Sequence, residues 1–274
     1  MPPLCHICRR REANSKEHLP PRSVRNRGTV EIDYIDGKIS NGVSHLTTMS
    51  PDGFWLRSLC AKCNNSTGSK LVGAYAQFVD EVAKPSELVD DSGLALVHLR
   101  NIYPRRIVKQ MFSMFLSAQN KASLPEWDGL RRFVRIRDEP LPEGSPRVFL
   151  YMNVSSRGRI VPWCALSEIR TSRTPVGLSE ISWPPLGIIF LDGADDWVPG
   201  MAEVTEWAGC RFSEQRSLML RLPKLRVETA HPMGFGSAHE VDRWRKDSGV
   251  LWYVGESDDS ESETSVAMTW APRR

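Results

Sequence analysis

Two pairs of cysteines carry the clearest chemistry in this chain. Cys5 and Cys8 are separated by two residues, and Cys60 and Cys63 repeat that spacing. A two-residue spacer lets both sulfurs of a pair turn toward one ion, and zinc in structural sites takes four tetrahedral thiolates. We therefore predict a closed zinc site that stabilises the N-terminal segment and does not itself catalyse a reaction. His6 could replace a cysteine as a ligand, although four thiolates make this unnecessary.

A carboxylate and an imidazole stand side by side between the two cysteine pairs. Glu17 and His18 are followed by two prolines, and Asn64 comes directly after the last cysteine. The oxygen donors of Glu17 and Asn64 suit Mg²⁺ or Mn²⁺, and an imidazole can take a proton from water near neutral pH. Neighbouring residues of a regular strand point to opposite faces. Glu17 and His18 can therefore share one site only if the strand is distorted or if they approach from different sides.

These residues in this order resemble the HNH endonucleases, also called ββα-metal nucleases. The resemblance is to the subgroup with a four-cysteine zinc clamp, such as the endonuclease VII-type resolvases, and it covers roughly the first 70 to 80 residues. It implies that Glu17 and Asn64 hold a catalytic divalent cation and that His18 is the general base. It also implies a DNA substrate, favoured as double-stranded, since the ββα unit usually docks against a duplex groove.

The chain departs from the family pattern at two positions. Many members have an asparagine about five residues before the third cysteine and a histidine after the fourth, where this chain has Trp55 and Asn64. Without that asparagine, either a backbone carbonyl or Asn65 must orient His18.

Charge is distributed unevenly along the chain. The net charge is only +3, but residues 1–30 hold seven cations against two carboxylates. A basic cluster beside the predicted site would attract a polyanion and speed its capture. The candidate nucleic-acid contacts are Arg9, Arg10, Lys16 and Arg22, although a basic cluster can also be an ordinary solvated surface.

Composition and hydropathy favour a globular protein of the cytoplasm. Hydrophobic residues make up 41% of the 274 residues and charged residues 25%, which is typical of a packed core. No apolar run approaches the roughly 20 residues needed to span a bilayer, and no secretory signal is visible. Paired CxxC motifs in a reducing compartment indicate metal ligands rather than disulfides. The isolated Cys164 and Cys210 are predicted to be buried.

Hydrophobic periodicity predicts an α+β protein with two domains. The first, residues 1–84, ends in a helix over 67–82, and the resemblance implies that it is a zinc-clamped ββα-metal (HNH) module. The second, residues 85–274, contains a helix over 104–118 and a mostly antiparallel sheet with strands at 147–154, 160–165, 186–191 and 217–222. The acidic segment 256–263 is predicted to be a mobile loop or tail.

The leading hypothesis is a metal-dependent endonuclease with structural Zn²⁺ and catalytic Mg²⁺ or Mn²⁺, with restriction or anti-phage defence as a candidate role. The 85–274 region would then serve recognition or assembly, with a homodimer as one arrangement. Two alternatives stay open. One is a noncatalytic zinc-dependent nucleic-acid-binding protein, in which Glu17 and His18 form a surface pair. The other is an RNA-directed nuclease of the same fold.

Overall fold

The protein combines few helices with one large β-sheet, which is compatible with the α+β prediction. A computed structural model describes residues 2–36, 45–84, 94–119, 127–168, 176–192, 198, 200–228, 235, 250–253 and 266–272. The helices are α1 (Ala61–Thr67), α2 (Gly73–Val82), α3 (Pro104–Ala118) and α4 (Asp128–Arg135). The strands are β1 (Ser15–His18), β2 (Val30–Asp36), β3 (His45–Ser50), β4 (Trp55–Leu59), β5 (Leu94–Ile102), β6 (Arg147–Asn153), β7 (Gly158–Glu168), β8 (Val176–Trp183), β9 (Leu186–Asp192), β10 (Ala202–Glu203), β11 (Arg216–Leu225), β12 (Val250–Tyr253) and β13 (Val266–Pro272).

A small strand–strand–helix unit carries the predicted site residues. β1 pairs antiparallel with β4, and β4 leads through Cys60 into α1. β1 ends before Pro20 and Pro21, because proline has no N–H group with which to continue strand pairing. A π-helical turn at Gly68–Val72 joins α1 to α2, so the helical segment begins six residues before the predicted start at residue 67.

The large sheet has eleven strands among the described residues. Its main order is β3-β2-β13-β7-β8-β9-β6-β11-β5, with β10 beside β6 and β12 beside β7. The pairing is antiparallel except between β6 and β11, which agrees with the predicted sheet type. β2 and β3 belong to the first 84 residues but reach β7 through β13. The domain boundary near residue 85 stays a prediction.

Helix α3 lies at the centre of the hydrophobic core. Its sequence-predicted bounds are confirmed, and within it only Arg106 is not buried. The rings of Phe112 and Phe115 lie 5.5 and 4.8 Å from that of Phe190 on β9. This core is continuous with the residues around the cysteines, including Leu19 and Leu59. The N-terminal unit is therefore packed against the same helix that supports the sheet.

The other predicted elements have mixed outcomes. The four predicted strands correspond to β6, β7, β9 and β11, with ends that differ by a few residues. β5, β8 and α4 were not predicted. Cys164 and Cys210 are buried as expected. The acidic segment 256–263 lies outside the described residues.

Candidate metal centre and active site

The four predicted zinc ligands lie together. The sulfur atoms of Cys5, Cys8, Cys60 and Cys63 are all within 4.8 Å of one another. A tetrahedral zinc ion with Zn–S bonds of about 2.3 Å would separate its sulfurs by about 3.8 Å. The Sγ atoms of Cys8 and Cys60 are 3.8 Å apart. The cluster therefore has the composition and the size to hold one zinc ion.

Local backbone geometry presents these sulfurs. The first pair lies in a tight turn, where the N–H of Cys5 donates to the carbonyl of Arg11 and the N–H of Arg9 donates to that of Cys5. Cys60 is the N-cap of α1, so Cys63 lies in the first turn of that helix. Hydrogen bonds from Cys63 and from backbone groups lower the pKa of Cys5 to about 4, although burial opposes this. Hydrogen bonding among the thiols thus favours the thiolate at Cys5, the form that binds metal.

The cysteine turn is fastened to the core by His6 and Arg131. Nδ1 of His6 donates to the carbonyl of Leu116 on α3 over 2.9 Å, because a carbonyl oxygen can only accept. Nε of Arg131 on α4 donates to the carbonyl of His6 over 2.9 Å. Burial lowers the pKa of His6, which favours the neutral ring. His6 therefore acts as a structural anchor, and its ring lies outside the cysteine cluster.

His18 is oriented by a backbone carbonyl, which is one of the two alternatives left open by the sequence. Its Nε2 lies 2.9 Å from the carbonyl oxygen of Asp52 and 3.5 Å from the Asp52 carboxylate. Because both groups are acceptors, Nε2 carries the proton and Nδ1 of the neutral ring is unprotonated. The side chain keeps 12% of its surface exposed. His18 is thus held in the tautomer whose Nδ1 can accept a proton.

Asn26, which the sequence did not single out, fixes the loop that carries the Asp52 carbonyl. It is fully buried, and its side-chain amide donates to the carbonyls of Pro20 and Phe54 over 2.6 and 2.8 Å. Its Oδ1 accepts from the N–H of Phe54 over 2.7 Å. A Cβ atom at Gly53, whose φ is +72°, would lie 2.3 Å from the same Oδ1, so this close approach requires glycine. The ends of β1 and β4 are therefore locked together beside His18.

Glu17 points to the opposite side of β1, toward α3. It is 5% exposed, and its Oε2 has no hydrogen-bond partner. Burial raises the pKa of Glu17 to about 8, although the nearby Ser117 hydroxyl lowers it and the Cys5 thiolate raises it slightly. The Ser117 hydroxyl also makes no hydrogen bond of normal geometry. A buried carboxyl with an unsatisfied oxygen marks either a neutral acid or a place for a cation.

Asn64 links α1 to β1. Its side-chain nitrogen donates to Oγ of Ser15 over 2.9 Å and to the carbonyl of Lys16 over 2.8 Å. No hydrogen bond or ion pair joins any two of Glu17, His18 and Asn64 within the described part of the chain. The structure brings His18 to Asp52 instead, a residue that the sequence did not single out.

The predicted nucleic-acid contacts differ in their surroundings. Arg10, Lys16 and Arg22 are exposed, whereas Arg9 is half-buried in a left-handed backbone conformation with φ of 55°. Arg22 forms an ion pair with the Asp52 carboxylate over 3.0 Å. Nζ of Lys16 lies 4.4 Å from the centre of the Trp55 ring. Lys16 and Arg22 therefore lie near His18, and each already has a partner on the protein surface.

Comparison with known proteins identifies no relative. No known protein family, curated protein or solved structure matches the chain. Among the described helices, none is both long and apolar enough to cross a membrane.

Proposed function

We propose that the chain is a metal-dependent endonuclease of the HNH type that hydrolyses DNA phosphodiester bonds. The observation that carries the proposal is His18, held at the end of β1 with Nε2 bonded to the Asp52 carbonyl and Nδ1 left as a base. The supporting observations are the β1–β4–α1 order and the four-cysteine cluster behind it. This is the combination that the resemblance in sequence implies.

His18 supplies the proton-transfer chemistry. Hydrolysis of a phosphodiester needs a water molecule that loses its proton as it attacks phosphorus. Nδ1 of His18 accepts that proton, and the resulting imidazolium is stabilised by the Asp52 carboxylate 3.5 Å from Nε2. Asp52 thus has the position of an orienting residue, and Arg22 in turn fixes its carboxylate.

The residues around β1 fit a divalent cation in part. The buried Oε2 of Glu17 has no hydrogen-bond partner and is the first candidate donor to a cation. The side-chain oxygen of Asn64 is the second candidate donor, since its nitrogen is used in bonds to β1. Oxygen donors of this kind select Mg²⁺ or Mn²⁺. When bound, such an ion supplies positive charge to the phosphate oxygens and the departing oxygen.

The test is nicking of supercoiled plasmid by zinc-loaded protein with and without added Mg²⁺ or Mn²⁺. Cation dependence is measured by withholding these ions, because a chelator would also strip zinc. We expect cation-dependent nicking that falls by about 10²-fold or more in His18→Ala, the usual contribution of a general base. His98 is exposed on β5, so His98→Ala is the matched control and should nick normally. Equal nicking by wild type and His18→Ala would refute the enzyme assignment.

One observation favours the noncatalytic alternative. Glu17 faces Ser117 and no described hydrogen bond joins it to Asn64, so the carboxyl could instead stay protonated and structural. A zinc-dependent DNA-binding protein would bind duplex DNA in the same reactions without nicking it. RNA of the same length, tested in parallel, separates the RNA-directed nuclease from both.

A further inference from the structure

The exposed face of the β1–β4 pair carries more than His18. His18 is the cross-strand partner of Trp55, and directly opposed residues of an antiparallel pair share a face. Lys16 is two residues from His18 on β1, and Arg57 is two residues from Trp55 on β4, so both belong to that face. Glu17, which lies between Lys16 and His18, points to the buried side.

The Trp55 ring holds both cations. Nζ of Lys16 lies 4.4 Å and the guanidinium carbon of Arg57 lies 5.8 Å from the ring centre. Both distances are within the range of a cation–π interaction. Trp55 is half-buried, whereas Lys16 and Arg57 are exposed. The ring is thus a fixed platform that restricts where two long side chains can place their charges.

A β-bulge lies next to these two charges. Between the pairs Ser15–Leu59 and Glu17–Leu56, β4 has one residue more than β1. A bulge of this kind re-aims side chains and is common beside active sites. Here Arg57 is exposed while the next residue, Ser58, is buried. Arg57 is therefore exposed opposite Lys16, and the extra residue of β4 stays on the buried side.

Lys16 and Arg57 differ from Arg22 in their ion pairing within the described residues. Arg22 is paired with Asp52, but no described carboxylate forms an ion pair with Lys16 or Arg57. Two exposed cations on a rigid support favour a partner with closely spaced negative charges. A DNA strand provides such charges on successive phosphates.

We propose that Lys16 and Arg57, held by Trp55, form a clamp for the DNA backbone on the face that carries His18. These residues would be substrate contacts of the proposed nuclease site, so this proposal rests on the proposed function. The clamp contacts phosphates and reads no bases, so it positions DNA of any sequence. Arg57 and Trp55 are assigned a substrate role by this geometry, and Lys16 gains a defined partner in it.

The experiment measures binding of zinc-loaded protein to a fluorescein-labelled 20-base-pair duplex between about 50 and 200 mM salt, without Mg²⁺ or Mn²⁺. Lys16→Gln and Arg57→Gln should each weaken binding about fivefold to tenfold near 0.1 M salt. Each should also reduce the slope of log K against log salt by about 0.9, the value for one lost phosphate contact. Trp55→Leu keeps both charges, so it should weaken binding only about twofold to fivefold with little change in slope.

Lys70 provides the matched control. It is exposed in the π-helical turn, outside the β1–β4 pair, and no described carboxylate forms an ion pair with it. Lys70→Gln should leave the slope unchanged. Zinc content and circular dichroism confirm folding, and the two glutamine variants test the clamp independently. If both behave like Lys70→Gln, the clamp is refuted, even where nicking still depends on His18. Because binding is measured without the catalytic cation, the clamp can equally be confirmed when no nicking is seen.

Discussion

The sharpest prediction concerns Glu17→Gln in zinc-loaded protein without Mg²⁺ or Mn²⁺. Glu17 is 5% exposed and its Oε2 has no partner, so the folded state disfavours the carboxylate. Glutamine has nearly the same shape as a protonated glutamic acid and never ionises. The substitution should therefore change stability in a way that depends on pH.

The sign and the size follow from the pKa of Glu17, which burial raises from 4.5 to about 8. Between these values the folded protein keeps a proton that the unfolded chain has lost, so wild-type stability falls as pH rises. Each pH unit costs about 1.4 kcal/mol. From pH 5 to pH 8 the wild type should lose on the order of 4 kcal/mol through this group, and Glu17→Gln should lose none of it.

The assay is urea unfolding of both proteins at half-unit steps from pH 5 to pH 8. The free energy of Glu17→Gln minus that of wild type should be near zero at pH 5 and should grow to about 4 kcal/mol at pH 8. Taking this difference removes the contribution of the other titrating groups. Glu12 is exposed, and Glu12→Gln should give a difference that stays flat with pH.

Added Mg²⁺ extends the test to the proposed site. A cation that binds the carboxylate should restore stability to wild type at pH 8 and should leave Glu17→Gln unchanged. Parallel pH curves for the two proteins would refute the buried-carboxyl reasoning. A wild type whose stability depends on pH but not on Mg²⁺ would support the buried carboxyl and would exclude Glu17 as a cation ligand.

The remaining predictions concern the supports of the site and of the sheet. Cys60→Ser removes one sulfur of the cluster, so bound zinc measured by mass spectrometry and the thermal midpoint should both fall. A normal midpoint would contradict a zinc site that stabilises the fold. Asn26→Ala removes three buried hydrogen bonds and should cost about 2 to 4 kcal/mol in urea unfolding, with loss of nicking; a cost below about 1 kcal/mol would contradict its role as a lock. Arg159→Met leaves the Glu180 carboxylate without its fully buried cation and should cost about 3 to 5 kcal/mol. Adding Glu180→Leu should recover most of that loss, and no recovery would show that the ion pair is not the cause.

The elements that could be predicted are those whose physical signal is local. The CxxC spacing encodes a four-sulfur cluster, and α3 has an apolar pattern broad enough to fix both of its ends. β8 was missed because Ser179, Glu180 and Ser182 interrupt its apolar pattern, although all three are buried. Their burial depends on partners in other strands, such as Arg159 for Glu180. α4 was missed since it is short, half charged and begins with Asp128 and Gly129.

In the candidate site, too, local features could be predicted from the sequence, whereas contacts between distant residues could not. The sequence places Glu17 and His18 on β1 and correctly raises the conflict between adjacent residues and opposite strand faces. It does not show that α3 covers Glu17, that Asp52 meets His18 or that Asn26 locks the loop. Each of these contacts joins residues brought together only by the packed fold. The shared role of Glu17, His18 and Asn64 at one cation stays a prediction.

The place of β13 in the large sheet has a consequence for how the chain is made. This strand lies between β2 and β7, yet it is the last to be synthesised among the thirteen described strands. Until then β2 and the first residues of β7, which both pair with β13, present open N–H and C=O groups that can pair with other chains. A nascent or prematurely terminated chain that lacks Val266–Pro272 would therefore be prone to self-association, however well its cysteine turn has formed.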